Sequence, residues 1–238
     1  MERLLSGYGG MSEFYWIWGR GLTHSDCGEP WRHQRTETNN NIQKGPLLQE
    51  KPYLQDHFVR DRISDVDLFT LSALPHGLDR HEWMAFNTVS FFKNINLVSS
   101  ALSEFCTSTS CPTAKGPGNK VYEWMDEHGK KLKCSAPLYT DYAMSYIQEL
   151  LTDENVFPTR AGVKFPNGFM FLVQKVFLLL FRTLCHLYSA HYRDAVAVDL
   201  HPHLNTLLTH FITFSHTFRL LEASETAPLD DLISALTH

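Results

Sequence analysis

The sequence predicts an all-α fold, a four-helix bundle with additional short helices and one small β-hairpin. Two observations carry this. Four long segments place apolar residues three and four positions apart, the spacing of one helix face. One turn-rich stretch, flanked by strand-forming residues, interrupts them.

Composition sets the frame. The 238 residues are 43% hydrophobic and 13% aromatic, with a net charge of −5. Such a chain can bury a real core and is too apolar to be disordered throughout. The slight acidity argues against a nucleic-acid partner, which requires a basic footprint. Five cysteines is an odd number, thinly spread, which favours a reducing compartment over a disulfide scaffold. Thirteen histidines is a high count and directs attention to metal ligation.

Residues 1–50 read as a flexible tail and 51–238 as the folded domain. The polar stretch 32–44 has no periodicity. Tyr15-Trp16-Ile17-Trp18 is an aromatic cluster within the tail. Gly7, Gly9, Gly10, Ser12 and Glu13 break up the N-terminus, so no targeting segment is expected there.

The folded elements follow in order. Ile63, Val66, Leu68, Leu71 and Leu74 lead to Pro75. Asp79 is a natural N-cap, with Glu82 three residues on, and opens a long amphipathic helix running to residue 102. Residues 103–120 form a loop. Val121–Trp124 and Lys130–Cys134 flank Asp126-Glu127-His128-Gly129, which predicts the hairpin. Helices are expected over Leu138–Leu151, Phe169–Val198 and Leu204–Leu221, with His201-Pro202 as a break and a last short helix at Pro228–Leu236. Phe169–Phe181 is the most apolar run. Gln174, Lys175 and Arg182 shorten it below the ~18–20 residues of a membrane span, so a buried core helix is expected and no span.

Cys106 and Cys111 are spaced C-x4-C in the loop, and His186 and His191 are spaced H-x4-H towards the end of the 169–198 segment. Both intervals suit a structural zinc site, and two thiolates with two imidazoles close a tetrahedron. The 74 residues between the pairs mean that the metal would tie a loop to a core helix. The competing reading is two loop thiols and two ordinary histidines. Geometry adds a condition: five residues of ideal helix rotate about 500°, leaving the histidines about 140° apart. One of them should therefore sit at a helix end. Cys185 reads as a core residue, and His201, His203, His210 and His216 as cap or core-edge residues.

Between residues 64 and 110, Asp65, Asp67, Asp79, Glu82 and Glu104 face only Arg80 and Lys93. The net charge of this stretch is −3, most of the chain's −5. It serves helix capping and a solvated face, or it forms a docking surface for a basic partner.

Together these pieces resemble the Mob family of kinase coactivators. The resemblance rests on His81-Glu82-Trp83-Met84-Ala85-Phe86-Asn87-Thr88, Phe91-Phe92, Ile95-Asn96 and Glu104-Phe105-Cys106 with Cys111-Pro112. It extends through Cys134-Ser135-Ala136-Pro137, Tyr139, Asp141-Tyr142, Phe157-Pro158-Thr159, Phe165-Pro166, Leu180-Phe181-Arg182, His186-Leu187-Tyr188, His191 and His203-Leu204-Asn205-Thr206. It covers about residues 51–236. It implies the Mob-type four-helix bundle, no catalysis, and structural Zn²⁺ on Cys106, Cys111, His186 and His191. It also implies binding to the basic N-terminal regulatory region of NDR/LATS-type AGC kinases. By motif alignment the contact positions are Ile63, Val66, Leu68, Leu71, Glu82, Asn94, Leu97, Val98 and His210.

Two departures narrow the resemblance. Ser90 stands where the LATS-binding class has Asp. Leu178-Leu179 replace a Lys-Arg pair, leaving only Arg182 of a basic phosphopeptide-binding trio. A phosphate site needs such donors, so phosphopeptide docking is not expected. The chain is more similar to the second Mob class, which pairs with NDR kinases. A cytoplasmic location is expected, with the nucleus as a second candidate compartment. The competing function is a zinc-dependent hydrolase with an open metal position and Glu104 or a histidine as base. No H-E-x-x-H, G-x-S-x-G or phosphate-binding motif supports it.

Overall fold

A computed structural model describes residues 51–160 and 162–237. The tail, with its aromatic cluster and Cys27, lies outside the described residues. The helices are α1 (Asp56–Val59), α2 (Leu68–Ser72), α3 (Arg80–Ala101), α4 (Ala136–Thr152), α5 (Phe169–Ala190), α6 (Tyr192–Ala197), α7 (His201–Phe218), α8 (Ala223–Thr226) and α9 (Asp230–Thr237). Single 3-10 turns occupy Pro52–Leu54, Pro117–Asn119 and Ala227–Leu229. Strands β1 (Trp124–Met125) and β2 (Lys131–Leu132) pair antiparallel, Trp124 opposite Leu132 and Met125 opposite Lys131. The expected bundle of α3, α4, α5 and α7 with its hairpin is what forms.

Each long helix has a local reason to start. Asp79 accepts hydrogen bonds from the backbone N–H groups of His81 (2.8 Å) and Glu82 (3.2 Å), a cap that contributes about 1 kcal/mol. Pro137 and Pro202 lie in the first turns of α4 and α7, where a missing N–H costs nothing. Pro202 therefore starts α7 at His201, where a break was expected. Asp67 caps α2 by the same device, its carboxylate accepting from Phe69 N, Thr70 N and the Thr70 hydroxyl.

Helix α5 is the apolar axis. Its faces pack on α3 and α4, and α3 also packs on α7. Phe91, Phe177 and Phe211 meet at the centre, with ring centroids 5.7 Å (Phe91–Phe177), 5.3 Å (Phe91–Phe211) and 4.8 Å (Phe177–Phe211) apart. Such aromatic pairs add roughly 0.5–1.5 kcal/mol each beyond their burial. At 22 residues α5 is long and apolar enough to span a membrane, longer than the sequence run suggested. Most of its apolar window is buried against the other helices, as a core helix requires.

The segment before α2 is held by buried polar groups. The Asn205 amide donates to Phe58 O (2.8 Å) and Asp61 O (3.2 Å) and accepts from the Tyr188 hydroxyl (3.0 Å). Ile63 N donates to the Thr206 hydroxyl at 3.1 Å. The Arg62 guanidinium donates to Val59 O and Leu236 O. Because Asn205 is fully buried, removing its side chain strands two carbonyls and a phenol without water. Asn205→Ala should cost roughly 3 kcal/mol or more, measured as a lowered urea midpoint.

Candidate metal centre

Cys106 and Cys111 lie in the loop that follows α3. Cys106 N donates to Leu102 O (3.2 Å) and Cys111 N to Thr107 O (2.8 Å), so two turns set the thiols. The Ser110 hydroxyl donates to Phe105 O (2.8 Å). Ala136 N then donates to Cys111 O (2.9 Å), and Ala114 N to Cys134 O (3.0 Å), which fixes the loop to the start of α4. Gly116 completes the fit, because a Cβ there would overlap the Tyr122 hydroxyl.

The two histidines come from α5 and its end. His186 lies four residues before the end of α5. The helix stops at Ala190, and His191 (φ −124°, ψ 13°) is the hinge before α6. The expected continuous helix to Val198 is corrected accordingly. The break removes the roughly 140° divergence of an ideal helix and turns both rings towards the loop.

Cys106 Sγ is 3.4 Å from His186 Nε2, and Cys111 Sγ is 3.3 Å from His191 Nε2. All four donor atoms lie within 4.8 Å of one another. Tetrahedral zinc with bonds of about 2.3 Å to sulfur and 2.0–2.1 Å to nitrogen separates S and N by roughly 3.5 Å. The donor types and spacings therefore fit a metal ion. Cys111, His186 and His191 are buried and Cys106 is half-buried.

Each imidazole is oriented from behind. His186 Nδ1 donates to the Lys115 carbonyl at 2.8 Å, and His191 Nδ1 to Asp194 Oδ2 at 2.9 Å. Both acceptors can only accept, so both Nε2 lone pairs point into the cluster. Burial, followed by the nearby Cys111, pushes the Cys106 thiol up to about 12. Burial lowers the His186 pKa, against the opposing hydrogen bond to Lys115. A bound divalent cation would reverse the first effect, because a coordinated thiol is deprotonated.

Cys134 and Cys185 stand outside the cluster. Cys185 is a core residue, pushed up to about 12 by burial and in contact with the Tyr122 hydroxyl. Glu104 is exposed and is not among the four clustered donors. Sequence reasoning missed the two groups behind the imidazoles. Asp194, three residues after His191, could have been found as a carboxylate one turn on. The Lys115 carbonyl carries no sequence signal.

The nine positions aligned to a partner surface divide in two. Ile63, Val66, Leu68, Leu71, Glu82 and Asn94 are partly exposed and Leu97 is 44% exposed. Glu82, Phe86, Ser90 and Asn94 recur every four residues along one stripe of α3, with Leu97 continuing it. Two of the positions are buried in the structure. Val98 is 1% exposed because it follows Phe91 and Ile95 on the core stripe, and His210 is 2% exposed with its ring 4.8 Å from Phe91. Both belong to the core of the bundle. Phe69, on α2, is 73% exposed and was not anticipated.

At the place of the absent basic pair, Leu179 is buried and Leu178 half-buried. Arg182 lies over the Tyr122 ring, with Nη1 3.4 Å from the Tyr139 hydroxyl and Nη2 3.8 Å from Glu225. Its charge is met from within the protein.

The fold and the cluster define a helical bundle protein with four Cys/His donors that could hold a metal ion. A family model, the Mob1/phocein family, matches residues 60–229. The chain is 45% identical over 206 residues to MOB kinase activator 2 of Mus musculus, covering 87% of each protein. It is likewise 45% identical to MOB kinase activator 2 of Homo sapiens, over 87% of this chain and 86% of the relative. Maintenance of ploidy protein mob2 of Schizosaccharomyces pombe is 38% identical over 186 residues, 78% and 76% of the two chains. The chain belongs to the Mob1/phocein family.

Buried His210 makes a testable contribution to acid stability. Burial lowers its pKa to about 3 from an ordinary 6.5. The folded state therefore resists a proton that the unfolded chain accepts. Stability from this group is complete above pH 6.5 and falls as pH drops towards 3, by up to about 1.4 kcal/mol per pH unit. His210→Leu should flatten that part of the stability profile relative to the wild-type protein, measured by urea unfolding across the window.

Proposed function

We propose that this protein is a non-catalytic, zinc-stabilised regulator that binds the basic N-terminal regulatory region of NDR-type AGC kinases and so adjusts their activity. The observation that carries the reading is 45% identity to MOB kinase activator 2 across 87% of both chains. Membership of a family of kinase regulators argues against catalysis. Four protein donors, moreover, complete a tetrahedral site and leave no position for an attacking water.

The metal in this reading is Zn²⁺, held by Cys106, Cys111, His186 and His191. Its work is mechanical: it clamps the loop after α3 to the end of α5. The proposed docking face comprises α2 and the outer stripe of α3. Asp79 and Glu82 supply negative charge, and Leu68, Leu71 and Leu97 supply apolar contact. A basic amphipathic helix is the complementary partner. Asp65 and Asp67, both exposed, extend the same field. The preference for NDR over LATS kinases rests on Ser90, which offers no carboxylate to a basic residue. Leu178-Leu179 and the internally paired Arg182 disfavour phosphopeptide docking.

The test is a side-by-side affinity measurement of the full chain against NDR and LATS N-terminal regions. Binding to NDR only is expected; equal or absent binding to both would sink the assignment. Glu82→Lys should weaken the NDR complex roughly tenfold, about 1.4 kcal/mol, with an unchanged circular dichroism spectrum. Cys111→Ala should eliminate stoichiometric zinc, read by elemental mass spectrometry, and lower the melting temperature.

A further inference from the structure

We infer that Asp194 is a positioning residue for the metal centre, the side chain that sets the grip of the site on its ion. The inference rests on the zinc reading of the four-donor cluster. Its basis is an asymmetry between the two histidines. Lys115 O, behind His186, is a main-chain acceptor that remains when the side chain at 115 changes. Asp194 Oδ2, behind His191, belongs to a side chain that a single substitution removes.

Three features assign this role to the carboxylate. The 2.9 Å contact to His191 Nδ1 fixes the tautomer with Nε2 unprotonated and 3.3 Å from Cys111 Sγ. His191 is the single residue between α5 and α6 and itself lies outside both helices, at φ −124° and ψ 13°. The contact therefore supplies the orientation that α5 gives to His186. Finally, two thiolates neutralise a divalent ion, and the Asp194 charge behind the imidazole makes it a stronger donor.

A purely structural role is the alternative. Asp194 lies in the first turn of α6, where an acid also favours the helix N-terminus. The two roles separate by linkage. Helix stabilisation alone lowers the stability of metal-loaded and metal-free protein equally and leaves metal affinity unchanged. Positioning lowers affinity.

The experiment is chelator competition for Zn²⁺ with full-length wild type, Asp194→Ala and Asp194→Asn. Asn keeps an acceptor for Nδ1 and removes the charge. Asp194→Ala should raise the Kd for Zn²⁺ roughly 10- to 100-fold, with Asp194→Asn intermediate and both variants folded by circular dichroism. Unchanged Kd in both variants, with only a lower melting temperature, would overturn the inference and leave the zinc reading standing. A wild-type protein that takes up no Zn²⁺ would overturn both. If Asp194→Ala does not fold, the isosteric Asn variant decides: weakened binding supports the role and wild-type affinity refutes it.

Discussion

The arrangement depends on where α5 ends. Two imidazoles five residues apart on one ideal helix diverge too far to meet at a point. Here His186 stays on the helix and His191 is taken out of it by a non-helical backbone (φ −124°, ψ 13°). The rest of the centre follows from that hinge. The loop after α3 must come to the end of α5, and its backbone turns present the sulfurs there. The Lys115 carbonyl and the Asp194 carboxylate then orient the rings. A centre built this way links sequence segments 80 residues apart without needing a pocket.

The loop that carries the thiols connects the cluster to α3. Leu102, which ends α3, accepts the Cys106 amide, so the loop that carries the thiols begins where the helix finishes. Helix α3 is fixed at its other end by the Asp79 cap and by Trp83, whose indole N–H points to Ser72 O at 3.4 Å. That contact couples α2 to α3. The exposed acids and apolar residues of these two helices thus stand on a support fixed at both ends. A rigid support loses less entropy when a partner orders on it. In the proposed complex this suits a surface that orders a basic segment of the partner.

Much of this was legible in the sequence, and the exceptions have physical causes. The start of α3 could be read because Asp79 and Glu82 form a local capping signal. The cysteine and histidine pairs could be read because metal ligation imposes spacing. The stop at Ala190 has no local signal, although the roughly 140° divergence of the histidines already asks for a helix end at one of them. No glycine or proline marks it, and Tyr192 and Ala195 continue the apolar pattern because they are buried too. The end of α7 was misread similarly. Arg219 adopts a left-handed conformation (φ 55°) at a place usually taken by glycine. The burial of Val98 and His210 could not be read from aligned positions, because alignment does not distinguish a residue on a face from one beneath it. For Val98 the core stripe through Phe91 and Ile95 already contained the answer.

The division between buried and exposed positions also bears on how regulation and stability are separated. Val98 and His210 belong to the core, so changes there alter the face only by altering the fold. Glu82, Asn94 and Leu97 lie outside the core, and changes there can alter recognition while leaving the bundle intact. A rim charge acts mainly on encounter rate and discrimination, whereas apolar residues such as Leu97 and the unexpected Phe69 offer the larger contact area. The acidic cluster alone would attract any basic chain. In the proposed complex, selectivity rests on the match between those apolar positions and the spacing of apolar residues on the partner helix, with Ser90, on the same stripe as Glu82 and Asn94, offering no carboxylate to a partner that requires one.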